Sequence, residues 1–219
     1  MIRLAIVDDH DLLRAGIRAI LEQDPLFQIV AETGDGQEAI RMAASLKPDV
    51  MLMDVHLPGG LGGLDATETI VRDTPEVRVI VLTQYENREY IRRALRIGAR
   101  GYMLKRSAAS DLKDAIRTVY AGQRYLHPSV ADSLVDLVTA GRSIEDAEDE
   151  YDRLTPRERQ VFTLLAEGKT SRDIAKYLSI SLKTAMTHRT NVMEKLNMHT
   201  RSELIRYAVR KGVLSVDDV

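Results

Sequence analysis

Five polar positions that close or follow short apolar runs constrain this chain more than any other feature. Asp8 and Asp9 end the run 4–7, Asp54 ends 50–53, Thr83 ends 79–82, and Lys105 follows Tyr102, Met103 and Leu104. Short β-branched runs separated by helix-length amphipathic segments predict a parallel sheet covered by helices. The carboxyl ends of such strands share one edge, where ligand sites form. Three carboxylates, a hydroxyl and an ammonium are therefore expected to converge there. Hard oxygens suit Mg²⁺, while Lys and Thr suit the oxygens of a phosphoryl group.

The punctuation of the chain places the elements. Helices are predicted over 11–23, 36–46, 63–72, 86–97 and 108–121, and strands over 28–31, 49–54, 78–83 and 101–104 in addition to the first run. That is five βα units in succession, an α/β fold with a doubly wound, five-stranded parallel sheet. Beyond His127 the pattern changes. Residues 128–139 read as one helix, and 141–150 are polar and acid-rich, ending Glu145-Asp146-Ala147-Glu148-Asp149-Glu150, a flexible linker.

The first 120 or so residues resemble the receiver domain of bacterial two-component response regulators, whose fold is flavodoxin-like. The resemblance implies that Asp54 is the phosphoacceptor and that Asp8 and Asp9 serve Mg²⁺ (or Mn²⁺), with Asp54 and the backbone carbonyl of His56 as further ligands. It makes Thr83 the switch hydroxyl, Lys105 the family's lysine and Tyr102 the switch aromatic. The chemistry agrees with those roles. A carboxylate and a phosphodonor repel each other, so a cation and Lys105 must cancel charge before Asp54 can attack in line. Singly, each residue has a plainer reading: Asp8 or Asp9 could cap the following helix, Asp54 a turn before Pro58, Lys105 could be a solvated lysine, and Tyr102 core.

Charge divides the chain in two. Residues 152–214 hold 13 Lys and Arg against 6 Asp and Glu, net +7, which leaves 18 against 27, net −9, elsewhere; together they give the whole-chain −2. A small basic helical module points to nucleic acid. Thr155-Pro156-Arg157-Glu158 is a capping box with Pro at the first helical position, opening a helix through Ala166 that Gly168 ends. Thr170 or Ser171 starts a short helix through Leu178. After a tight turn Ser181 caps a longer helix to about Leu196, and a last one runs over 200–211. With Ile174, Ala175 and Leu178 facing Ala185, Val192 and Leu196, the middle pair makes a helix-turn-helix within an all-α, four-helix domain.

The string LTPRERQVFTLLAEGKTSRDIAKYLSISLKTAMTHRTNVMEKLNMHTRSELI resembles the LuxR-type helix-turn-helix, so the whole chain resembles the NarL/FixJ family of response regulators. The expected domains are a receiver over 1–122, a linker over 123–151, the DNA-binding domain over 152–214 and a tail over 215–219. The outward stripe of the recognition helix is Lys183, Met186, Thr187, Thr190 and Glu194, flanked by His188, Arg189 and Asn191. With Thr184 these are the expected DNA contacts (Glu194 apart), to phosphates and base edges of double-stranded DNA. Three departures from the family pattern stand out: a longer, glycine-rich loop 59–63, Gln84 where a small residue usually follows the switch threonine, and Met186 where a basic residue is common.

The resemblance implies a phosphorylation-controlled transcriptional regulator rather than an enzyme, phosphorylated by a cognate sensor histidine kinase or a small phosphodonor. Thr83 and Tyr102 would move inward on phosphorylation and relay the change to homodimerisation and to release of the DNA-binding helix for paired half-sites. Opposite charges on the two halves suggest that the acidic part masks the basic one beforehand. Other readings are a constitutive DNA-binding dimer with a non-signalling receiver, and an aspartyl-phosphate phosphohydrolase. The latter requires a second Asp two residues after the nucleophile, where this chain has His56. Zero Cys excludes disulfides and thiol chemistry, the five His show no metal-ligand spacing, and 44% hydrophobic residues suffice for real cores. No apolar run reaches the ~18 residues of a membrane span and no secretory leader opens the chain, so a cytoplasmic location without membrane partners is expected.

Overall fold

The computed structural model describes residues 1–84, 88–107, 109–128, 130, 150–211 and 213–214. The chain divides into two compact units.

The first unit alternates strands and helices: β1 (Ile2–Val7), α1 (Asp11–Glu22), β2 (Phe27–Thr33), α2 (Gly36–Leu46), β3 (Val50–Asp54), α3 (Gly63–Asp73), β4 (Arg78–Thr83), α4 (Arg88–Arg96), β5 (Gly101–Leu104), α5 (Ala109–Tyr120) and β6 (Tyr125–Leu126). All strand pairs are parallel, in the order β2-β1-β3-β4-β5-β6. The chain runs outward from β1 in both directions, the doubly wound arrangement expected, with its switch point between β1 and β3.

The sheet has six strands, where the sequence predicts five. The sixth is two residues long, between Gly122 and Pro128, too short for any periodicity to register. It exists because Tyr125 N donates to Arg100 O at 3.0 Å and His127 N to Tyr102 O at 3.1 Å, covering part of the edge that β5 would otherwise leave open. The predicted helix over 128–139 and the acidic stretch before Glu150 lie almost wholly outside the described residues, as do residues 215–219. The helix expected from 86 is described from Arg88.

Apolar pattern dominates the energetics. Leu4, Ile6, Leu52 and Ile80 are fully buried beside Leu82, Met103 and Ile116. Each such side chain contributes about 1.5–3 kcal/mol. A surface pair such as Lys47–Glu76, at 2.8 Å with both side chains about half exposed, is worth under about 1 kcal/mol. Helix starts follow local chemistry: Asp35 accepts from Glu38 N to cap α2. Neither Asp8 nor Asp9 caps α1, whose first flanking residue is His10 with no side-chain cap.

Among its described residues the second unit holds a 3-10 turn (Glu150–Arg153) and four helices, α6 (Pro156–Ala166), α7 (Ser171–Tyr177), α8 (Leu182–Lys195) and α9 (Arg201–Lys211). The capping box at Thr155 and Glu158 forms with Pro156 inside it, Thr170 and Asp173 make a second box, and Ser181 caps α8. Gly168 takes φ +89°, which stops α6 as the sequence suggests. The core joins Phe162, Ile174, Ala185, Val192, Leu196, Leu204 and Tyr207. Phe162 meets Tyr151 and Tyr207 edge-on, with ring centroids 5.5 and 5.9 Å away.

Candidate functional site

Strand register assembles the acidic site. Val7 is level with Met53, so Asp8 and Asp54 come next on neighbouring strands. Asp54 is level with Leu82, placing Thr83 one residue beyond it, and Thr83 is level with Leu104, placing Lys105 one residue further still. The backbone closes the same corner: Lys105 N donates to Thr83 O at 2.7 Å and Val55 N to Leu82 O at 3.1 Å.

Lys105 stands between the two buried carboxylates. Its Nζ donates to Asp54 Oδ2 at 2.7 Å and lies 2.7 Å from Asp8 Oδ2, a charge contact without hydrogen-bond geometry. His56 N donates to Asp54 Oδ1 at 3.3 Å, and His10 N donates to Asp8 Oδ1 at 2.9 Å. One ammonium does not balance the buried negative charge. Desolvation pushes the Asp54 carboxyl up to about 6, with Asp8 adding to the rise and Lys105 opposing it.

A divalent cation fits that excess. Asp8, Asp9, His10 and Asp54 offer ligand atoms that all lie within 4.8 Å of one another. Asp8 and Asp54 are buried while Asp9 and His10 are exposed, so the cluster opens to solvent on one side. Hard carboxylate oxygens would hold Mg²⁺, whose chemistry here is charge neutralisation at the phosphoryl oxygens. His10 is a ligand candidate that sequence spacing does not give. Metal-ligand spacing rules count residues along one element, whereas this cluster forms across two strand ends.

Thr83 and Tyr102 are both fully buried. Burial pushes the Tyr102 phenol well above its usual range, opposed in smaller part by the Thr83 hydroxyl. The Tyr102 side chain is thus enclosed by the sheet's cover.

Several contacts around the site have no sequence signature. Arg14 donates to the backbone carbonyl of Asp8 and to Asp11, and its Nε is 3.7 Å from Glu32. His56 Nε2 is hydrogen-bonded to Tyr90 Oη at 2.9 Å, joining the loop after β3 to α4. Asp65 on α3 and Arg93 on α4 form a buried ion pair. The glycines after Pro58 have physical reasons: Gly59 and Gly60 take φ of +94° and +79°. At Gly63 a Cβ would fall 1.6 Å from Asp54 O.

In the second unit, α8 carries the expected DNA-facing residues. Lys183, Thr184, Met186, Thr187, Arg189 and Thr190 are exposed, His188 and Asn191 half-buried, and Ala185 and Val192 buried. Met186, a large apolar side chain, is 55% exposed. Two of these hydroxyls are already engaged: Thr184 Oγ1 lies 2.8 Å from Ser181 Oγ at the helix cap, and Thr187 donates to Lys183 O at 3.0 Å. His188 Nδ1 is buried with no hydrogen bond among the described residues, so this ring belongs partly to the packed side of the helix. Glu158 and Lys195, 2.6 Å apart, tie α6 to α8. No helix among the described residues is long and apolar enough to cross a membrane.

A doubly wound unit with an acidic strand-end site, joined to a helix-turn-helix unit, is the architecture of a signal-receiving DNA-binding regulator. Residues 4–117 match the response regulator receiver domain and residues 152–208 the luxR family of bacterial regulatory proteins. The chain belongs to the two-component response regulators of the NarL/FixJ type, DNA-binding transcription regulators rather than typical enzymes. It is similar to the oxygen regulatory protein NreC of Staphylococcus carnosus, 36% identical over 214 residues, 97% of this chain and 99% of that protein. NreC of Staphylococcus haemolyticus is 37% identical over the same shares. Among solved structures it is similar to a LuxR-family two-component response regulator from Aurantimonas sp. SI85-9A1, with 33% identity, 64% of this chain and 99% of that one covered, and a TM-score of 0.61. RcsB from Salmonella enterica serovar Typhimurium, bound to a promoter in the presence of the phosphomimetic BeF3−, matches at 30% identity over 94% of this chain and 97% of that one, with a TM-score of 0.59.

Proposed function

We propose that Asp54 accepts a phosphoryl group and that its phosphorylation controls DNA binding by α8. The observation that carries this reading is the placement of Lys105 between Asp54 and Asp8 at a site with surplus negative charge. An Asp54 oxygen attacks phosphorus in line. The new O–P bond forms as the P–N bond of a kinase phosphohistidine, or the P–O bond of an acyl phosphate, breaks, the electron pair departing with the leaving group. Lys105 and the Thr83 hydroxyl then bind the added oxygens. Asp8, Asp9, Asp54 and the His56 carbonyl serve the cation, Mg²⁺ or Mn²⁺.

Phosphorylation in this reading selects the conformation in which Tyr102 is already buried, and the change passes to the α4 face and to homodimerisation. A phosphohydrolase reading is disfavoured because the second-acid position holds His56, whose imidazole is engaged with Tyr90. A constitutive dimer is disfavoured by the intact acidic cluster. On DNA, Lys183 and Arg189 grip phosphates. Thr187, its proton committed to Lys183 O, presents an acceptor and a methyl group to base edges, beside Met186. A sensor histidine kinase as donor, paired half-sites about one helical turn apart, and a cytoplasmic setting complete the reading. Incubation with acetyl phosphate and Mg²⁺ tests it by intact mass. One added phosphoryl group, absent in Asp54→Asn, is expected; equal labelling of the variant would reject the assignment.

A further inference from the structure

We propose that His10 is a nitrogen ligand of the acidic cluster, so that this site takes first-row transition ions such as Mn²⁺ and Co²⁺ through Asp8, Asp9, Asp54 and an imidazole. Mg²⁺ would use the carboxylates and the His56 carbonyl without the imidazole. The inference rests on the reading of the cluster as a cation site and extends it to the ion it selects.

Geometry brings His10 into the cluster. Its Nδ1 lies 2.7 Å from Asp9 Oδ1 and 3.5 Å from Asp8 Oδ1. Adjacent ligands of one octahedral ion, each about 2.1 Å from it, sit about 3 Å apart. The two measured separations bracket that value. The ligand atoms of all four residues lie within 4.8 Å of one another, a span that also admits ligands on opposite sides of the ion.

Backbone contacts hold the residue that carries the ring beside the cluster. His10 occupies the position flanking the start of α1, where a side chain ordinarily accepts from the helix N–H groups, yet its imidazole makes no cap. Its own N–H donates instead to Asp8 Oδ1 at 2.9 Å, which ties the backbone of one ligand to the side chain of the other. Arg14 donates to the Asp8 backbone carbonyl. The His10 side chain is 58% exposed, which leaves an approach for a hydrated ion.

Ligand chemistry then sets the selectivity. Imidazole favours the later first-row ions, Co²⁺ above Mn²⁺, whereas Mg²⁺ favours carboxylate, carbonyl and water. His10 therefore adds affinity for the former and little for the latter.

The test uses the full-length chain at pH 8, above the usual range of imidazole protonation, loaded with Mn²⁺ or Co²⁺ without phosphodonor. Pulsed EPR of the Mn²⁺ form should show coupling to a directly bound ¹⁴N in the parent chain and none in His10→Gln. Calorimetry should show Co²⁺ affinity falling roughly tenfold or more in His10→Gln while Mg²⁺ affinity stays within about twofold. Absence of ¹⁴N coupling in the parent, its persistence in His10→Gln, or a parallel fall in Mg²⁺ affinity would overturn the assignment of His10. If Asp54→Asn binds Mg²⁺ as tightly as the parent, the cation site itself is misread and the inference falls with it.

Discussion

Lys105 Nζ donates to Asp54 Oδ2 at 2.7 Å, and the same ammonium lies 2.7 Å from Asp8 Oδ2. Breaking a buried pair by removing one partner commonly costs about 3–5 kcal/mol. Asp54 can evade part of that cost by taking a proton, so Lys105→Ala should lose less, ~2 kcal/mol in chelator at pH 7, and should keep its fold. Added Mg²⁺ should restore most of the loss in thermal unfolding, while the phosphorylated variant should fail to gain DNA affinity. A melting temperature in chelator equal to that of the parent would show that the lysine is not needed to balance this charge.

The raised Asp54 carboxyl has a pH signature of defined sign. Its folded value, about 6, lies above the ordinary 3.8 because desolvation opposes ionisation. Protonation is then easier in the fold than in the unfolded chain, so this group's stabilisation is fully present below about pH 3.8 and is lost as pH rises through 6. Without metal, the stability of the parent relative to Asp54→Asn should rise by ~2 kcal/mol at most between pH 7 and pH 5. Saturating Mg²⁺ should abolish the rise. A flat difference across that window would contradict the burial argument.

Gly63 leaves no room for a side chain, since a Cβ would stand 1.6 Å from Asp54 O. Gly63→Ala should displace the phosphoacceptor strand end and destabilise the first unit by about 3 kcal/mol or more, read by denaturant unfolding. Near-parental stability with normal phosphorylation would mean that the loop 59–63 relaxes freely.

Grip and reading should separate on α8. Lys183→Ala and Arg189→Ala should weaken binding to all sequences and lower the salt slope by about one unit per lost phosphate contact. Thr187→Ala and Met186→Ala should change preference at one base position by about 1–3 kcal/mol if the contact is direct. An unchanged salt slope in the basic variants would reject their assignment.

How much of this was legible in the sequence depended on whether the signal was local. The strand-end residues Asp8, Asp54, Thr83 and Lys105 were readable because each closes its own apolar run, and parallel pairing does the rest. The capping boxes and the inward stripe of α8 were equally local. Three features were not readable. Strand β6 is two residues long, the Asp65–Arg93 pair joins residues 28 apart on different helices, and the His56–Tyr90 bond spans 34. His10 stood in plain view beside the acidic pair, but spacing rules built for single elements pass over a cluster assembled from two strand ends.

The expected masking of a net +7 DNA-binding segment by a net −9 remainder makes a comparative claim. A fragment over 152–219 should bind DNA more tightly per subunit at fixed salt than the unphosphorylated full chain. Equal affinity, after allowance for dimerisation, would leave dimerisation as the route of activation.

The most direct measurement is DNA affinity of the full-length chain and of Asp54→Asn, each before and after acetyl phosphate with Mg²⁺, at one salt concentration. Taking a mostly closed population to a mostly open one requires several kcal/mol of differential stabilisation, so the parent should tighten by roughly tenfold or more while Asp54→Asn stays unchanged. Equal tightening of both proteins, or of neither, would contradict control of DNA binding through Asp54.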